Sequence, residues 1–188
     1  HDIAIGTRHM ANGGTEFVVT GYESAHQVQI LFLDSGFSTT VTAGQVRRGN
    51  ILDRLARSAS GVGFVGIGEF NSMNSRAASS SWRSMLNRCY NKEYQAKKAR
   101  TYADCNVCEE WQNFQNFARW HMNNYKKTNE KMELDKDLLI FGNKTYSPDA
   151  CIFVPGWLNV LTVGANNIRG NHPVGVSKRK GTDYFEAY

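Results

Sequence analysis

Apolar and polar residues alternate through the first part of the chain, and apolar residues recur at three- and four-residue intervals through the middle. Strands are therefore expected first and helices after them. Between Glu16 and Asp53, the runs Phe17-Val18-Val19, Val28 to Leu33 and Phe37 to Val41 are rich in β-branched and aromatic side chains, with Asp34-Ser35-Gly36 as a turn. Such side chains suit a pleated, half-buried surface, and the spacing predicts a short antiparallel meander. Residues 58–81 break the pattern. Glycine punctuates Ser58 to Gly68, and Asn71 to Ser81 is mostly small and polar, which predicts a linker or exposed loop. No Gly-x-Gly-x-x-Gly leads into a helix there and no Gly-Lys-Ser/Thr ending is present, so a phosphate cradle is excluded.

Trp82, Met85, Leu86 and Cys89 stand at i, i+3, i+4 and i+7 and give a helix one apolar face, with Arg83 and Arg88 turned to solvent or phosphate. A second helix is predicted from about Cys108 to Tyr125, where Trp111, Phe114, Phe117, Ala118 and Met122 form an aromatic stripe suited to core packing. After Lys131 the period returns to two. Met132 to Asp137 reads as a strand on which Asp135 and Asp137 share a face. A turn at Gly142-Asn143, a Ser147-Pro148-Asp149 corner, an apolar strand from Cys151 to Val154 and a helix from near Gly156 follow. Strand, loop, strand, helix is the plan of a ββα-metal unit. The expected class is α+β. A β-rich unit at 1–57, of a size that suits a small Tudor-like barrel, precedes a Gly/Ser-rich linker at 58–81. A ββα unit with aromatic helices at 82–168 and a basic carboxy-terminal segment with a short strand at 169–188 complete the chain.

With 188 residues there is room for one good core or two small ones. The net charge of +5 conceals an asymmetry: residues 1–70 hold five Lys/Arg against six Asp/Glu, and residues 71–188 hold seventeen against eleven. A polyanion is expected to dock on the later segment. Its basic clusters, Arg83, Arg88, Lys97, Lys98, Arg100, Lys178, Arg179 and Lys180, are the phosphate-contact candidates, because affinity for DNA is mostly neutralisation of backbone charge. Any one of them taken alone also reads as a solvated surface charge.

Nothing near the start reads as a signal peptide, no apolar run approaches the roughly 18 to 20 residues of a membrane span, and a cytosolic location is expected by default. In that compartment Cys89, Cys105, Cys108 and Cys151 are expected as reduced thiols. Cys105 and Cys108 have the gap of a zinc knuckle, and Cys89 with Cys151 could complete a four-sulfur zinc site. A second close pair is missing, however, and buried structural thiols are the plainer reading. His121 is expected at the surface or as a cap, and His172 in a loop.

Three stretches taken together carry a resemblance. Trp-Arg-Ser-Met-Leu-Asn-Arg-Cys-Tyr-Asn at 82–91, Tyr-Ala-Asp-Cys-Asn-Val-Cys-Glu-Glu-Trp-Gln-Asn-Phe at 102–114, and Leu-Asp-Lys-Asp-Leu at 134–138 running to Phe-Val-Pro at 153–155 are similar to the phage HNH homing-endonuclease-like family. The closing Arg-Gly-Asn-His-Pro-Val-Gly-Val-Ser-Lys-Arg-Lys at 169–180 resembles the linker and first strand of a DNA-binding domain appended to many such proteins and found also in plant ethylene-response factors.

The resemblance implies a metal-dependent nuclease site on duplex DNA, with Mg²⁺ or Mn²⁺ held by an acidic strand residue and a helix residue and a neighbouring histidine as general base. Those ligands fall on Asp135 and Asn159, and the histidine position falls on Lys136. An ordinary lysine is protonated at neutral pH and cannot take a proton from water. Either burial strips Lys136 of its proton, or Asp137 is the working group, or the base is lost. The implied function is DNA binding with or without nicking, in the host cytoplasm if phage-encoded. The alternative is a catalytically inactive phage regulatory protein that binds DNA or a host protein, the latter through the β-rich start.

Overall fold

The computed structural model describes residues 3–98, 100–162, 176–179 and 181–187. The fold is mixed α+β and divides into two compact units, one of residues 1–123 with 144–148 and one of residues 124–143 with 149–188. No helix among the described residues is long and apolar enough to cross a membrane.

The first unit begins with the expected meander. Strands β1 (Arg8–Met10), β2 (Glu16–Ser24), β3 (Gln27–Phe32) and β4 (Ser38–Val41) form a four-stranded antiparallel sheet in chain order. The register sets Phe17 opposite Phe32, Val19 opposite Ile30 and Val28 opposite Val41. All six are buried on one face, as period two requires. Phe37, Ala43 and Val46 close that core, the last two from helix α1 (Ala43–Arg48). This helix is started by a capping box. Thr42 Oγ1 accepts from the Gln45 N–H, and Gln45 Oε1 accepts from the Thr42 N–H. It ends at Gly49, whose φ of 63° is left-handed and whose Cα faces the Met10 carbonyl too closely for a side chain.

The glycine-punctuated stretch after it is packed, and is no free linker. Residues 76–81, read as part of that linker, are the first turns of helix α2 (Arg76–Tyr90). Gly63 lies so close to α2 that a Cβ there would collide with Leu86 Cδ1 and sit 2.7 Å from Trp82 Cζ2. The buried Gln115 amide accepts from the Phe70 N–H and donates to the carbonyls of Val65 and Phe70. Arg54 donates to the carbonyls of Gly66 and Gly68. Small residues here allow close approach, and the composition that looks like a linker is that of a tight seam.

Helix α2 buries Trp82, Met85, Leu86 and Cys89 as the spacing predicts. Helix α3 (Lys92–Lys98) follows, and a 3₁₀ turn at Arg100–Tyr102 leads to β5 (Asn106–Val107). The aromatic helix is two helices, α4 (Glu109–Gln112) and α5 (Phe114–Asn124). Phe64 causes the break. Its N–H donates to the Gln112 carbonyl and its carbonyl accepts from the Phe114 N–H, so the two backbones form a bridge where a helix would have run through. The phase restarts at Phe114, and Phe114, Phe117, Ala118 and His121 form the buried stripe while Met122 is exposed. The Trp82 indole N–H donates to the Trp111 carbonyl at 2.7 Å and joins α2 to α4. β5 pairs in parallel with β7 (Thr145–Tyr146), and the Arg88 guanidinium lies over the rings of Tyr102 and Tyr146.

In the second unit β6 (Met132–Asp135) pairs antiparallel with β8 (Ile152–Pro155), with Leu134 opposite Phe153 and Asp135 opposite Ile152. Helix α6 (Gly156–Thr162) follows β8 directly. A two-stranded hairpin of β9 (Val176–Lys178) and β10 (Phe185–Ala187) lies near the chain end.

Candidate metal and nucleic-acid site

Asp135 is the last residue of β6, and its side chain explains why the strand stops. Oδ1 accepts from the backbone N–H groups of Asp137, at 2.8 Å, and Leu138, at 2.6 Å. A short carboxylate that captures the next two free N–H groups turns the chain out of the ladder. Asp137 is therefore beyond the strand, and the expectation that it shares a strand face with Asp135 does not hold.

Lys136 is 5% exposed. Its Nζ donates to both oxygens of Asp137, at 2.6 and 2.7 Å, and to the Asn143 carbonyl at 2.8 Å. Three acceptors match the three donors of an ammonium and leave no lone pair for a water proton. Asn143 answers by donating its side-chain N–H to the Lys136 carbonyl at 2.9 Å. This two-way clasp closes the loop between Lys136 and Asn143. The intervening Leu138, Leu139, Ile140 and Phe141 are all exposed, Phe141 almost completely.

Asn159, on α6, donates its side-chain N–H to Glu133 Oε2 at 3.0 Å, and the other oxygen of Glu133 meets Lys131 Nζ at 2.9 Å. The acidic partner the structure brings to Asn159 is thus Glu133, one pleat before Asp135. Period two carries this signal in the sequence: two residues back from Asp135 on the same strand face stands another carboxylate. Asp135 Oδ2 takes no hydrogen bond among the described residues, and an amide can present its oxygen in place of its nitrogen after a flip. Carboxylate and amide oxygens are the hard donors that Mg²⁺ and Mn²⁺ take, and of these three residues the structure brings Glu133 and Asn159 within hydrogen-bond distance. Among the described residues no three His, Cys, Asp or Glu side chains are gathered into a metal-binding group. These oxygens form no closed cage among the described residues.

The basic candidates separate by environment. Arg83 is exposed, whereas Arg88 is half-buried against two tyrosine rings and belongs to packing more than to a phosphate footprint. Lys97 pairs with Glu93 at 2.6 Å on the exposed surface of α3. Lys178 pairs with Asp183 at 2.9 Å and Arg179 with Glu186 at 3.7 Å, both on the hairpin. Exposed pairs of this kind are worth less than about 1 kcal/mol and yield readily to a phosphate. Lys180 and the side chains of Lys98 and Arg100 lie outside the described residues, as does His172.

None of the four cysteines is in a disulfide. Cys89, Cys105 and Cys151 are buried and Cys108 is half-buried. His121, expected at the surface, is 5% exposed, and burial pushes its imidazole below the usual histidine range. No family model, curated protein or solved structure matches the chain.

Proposed function

We propose that this chain is a duplex-DNA-binding protein of the HNH homing-endonuclease type in which a lysine has taken the general-base position and the binding function outlasts cleavage. In this reading β6, β8 and α6 are the ββα-metal unit, and β1 to β4 with α1 are the small barrel-like unit expected ahead of it. The observation that carries the reading is the strand, loop, strand, helix order of residues 132–162, with Lys136 tied to Asp137 and Asn143 where the base would stand. Glu133, Asp135 and Asn159 are the residues that would hold a divalent ion, which when bound stabilises the leaving oxygen. Lys136 keeps its proton engaged and offers none of the general-base assistance typically worth about 10² to 10⁴ in rate.

Two measurements test this. Binding to a duplex should weaken by ~10³ or more between 50 and 200 mM salt if six or more phosphates are neutralised. Binding that ignores salt, or none at low salt, overturns the reading. Nicking of supercoiled plasmid with Mg²⁺ or Mn²⁺, against an EDTA control, should be slow or absent, and Lys136→His should raise it by about tenfold or more. Brisk metal-dependent cutting by the natural sequence, indifferent to Lys136→Ala and lost on Asp137→Asn, would give the base to Asp137 instead.

A further inference from the structure

The sequence places its phosphate-contact candidates after residue 71, yet a concentrated cationic surface lies in the β-rich start. Arg8 and His9 on β1, Asn12 after it, and Arg47 and Arg48 at the end of α1 line one cleft of about 510 Å³. Backbone geometry builds it. The Asn12 N–H donates to the Gly49 carbonyl at 2.8 Å, and the left-handed Gly49 lets the end of α1 approach the Met10 carbonyl, so the helix end that carries Arg47 and Arg48 is held beside the strand that carries Arg8.

The arginines are not consumed by capping. Two carbonyls of the last turn of α1 are satisfied by backbone donors: Gly49 N–H reaches the Val46 carbonyl and Asn50 N–H reaches the Gln45 carbonyl. Nor are they neutralised. Arg8 has an exposed and loose partner in Glu16 at 3.7 Å, whereas neither Arg47 nor Arg48 has an acidic partner among the described residues. Three arginines among the lining residues of one concave, polar-lined cleft, with one loose carboxylate partner between them, make a positive focus on a unit whose own charge is close to balance.

We propose that this cleft, lined by Arg8, His9, Arg47 and Arg48, is a second nucleic-acid contact that grips phosphodiester oxygens of the DNA backbone. Guanidinium forks match phosphate oxygens two at a time, and the Asn12 amide adds a hydrogen-bond donor at its wall. The β-rich unit thereby positions the chain on the duplex without reading bases. The inference rests on the DNA-binding reading above and adds a site to it.

The test uses the full chain, a mixed-sequence duplex and fluorescence anisotropy across 50 to 200 mM salt. Arg47→Gln with Arg48→Gln should weaken binding at least about tenfold at 50 mM and flatten the salt slope by about 0.9 per phosphate lost. Arg47→Lys with Arg48→Lys keeps the charge and should retain the slope while losing part of the affinity. Arg8→Gln, on the opposite wall, should reproduce the loss in smaller measure and does not touch α1. If the natural chain binds with an unchanged slope in the glutamine variants, the cleft is not a DNA contact and the parent reading stands. If the natural chain binds no duplex at any salt, both fail together.

Discussion

The sequence pattern puts His121 at an exposed helix end, because a polar residue counts against burial and Met122 beside it counts for it. The fold decides otherwise through phase. Once Phe64 interrupts the helix at Asn113, counting restarts at Phe114, and the position seven residues on is His121. The buried ring has a depressed pKa from loss of solvent, so the folded chain refuses a proton that the unfolded chain accepts. The unfolded state then binds more protons at mildly acid pH, and stability rises with pH through that range. The contribution is present in full above the ordinary histidine pKa of about 6.5 and is lost as pH falls from there towards the lower folded value. The thermal midpoint of the natural chain should therefore drop between pH 8 and pH 5 more steeply than that of His121→Gln. Parallel curves would show that another group governs the acid limb. Lys136 and Asn159 were legible as positions of interest. Their partners, Asp137 with the Asn143 carbonyl and Glu133, depend on where β6 ends, which a two-residue hydrogen-bond capture decides.

Among the elements, those whose own period carries the signal were read correctly: the meander over Phe17 to Val41 and the face of α2 at Trp82, Met85, Leu86 and Cys89. Helix α1 was missed although Thr42 and Gln45 spell a capping box, since six residues are too few for a period to show. The stretch at 58–70 was misread for a different reason. Glycine content is the same whether a chain needs freedom or closeness, and only the partner distinguishes them. Gly63→Ala would force a methyl into Leu86 and Trp82, and overpacking of that kind costs about 1–3 kcal/mol. Gly13→Ala meets nothing within 4 Å, has no left-handed φ, and should be neutral or slightly stabilising. Chemical denaturation of the two variants decides the matter. Equal midpoints would mean that the 58–70 stretch yields at little cost.

For the whole molecule, the charge total indicated a polyanion partner and the later segment as its place, and both remain part of the proposal. The summed count hid the cationic cleft of the β-rich start, because three nearby arginines are offset in the tally by carboxylates elsewhere on the same unit. The seam at 58–70 has a consequence for how the chain comes apart. A protease cuts where backbone is exposed and can be drawn out of the fold. Arg54 and Arg57 invite trypsin on sequence grounds. However, Arg54 is tied to Gly66 and Gly68, and Arg57 is tied to Val62 and Gln112 and covers the Phe64 ring. Lys126 and Lys127 are exposed in a stretch without helix or strand. Limited trypsin digestion should clip first after Lys126 or Lys127, leaving an amino-terminal fragment that still contains the glycine-rich stretch uncut. Early release of a piece ending at Arg57 would mean that the seam opens on its own. Otherwise, fragments divided at the glycines strip α2 of its cover, and a chain shortened to the end of α5 loses β7, whose pairing with β5 belongs to the same unit.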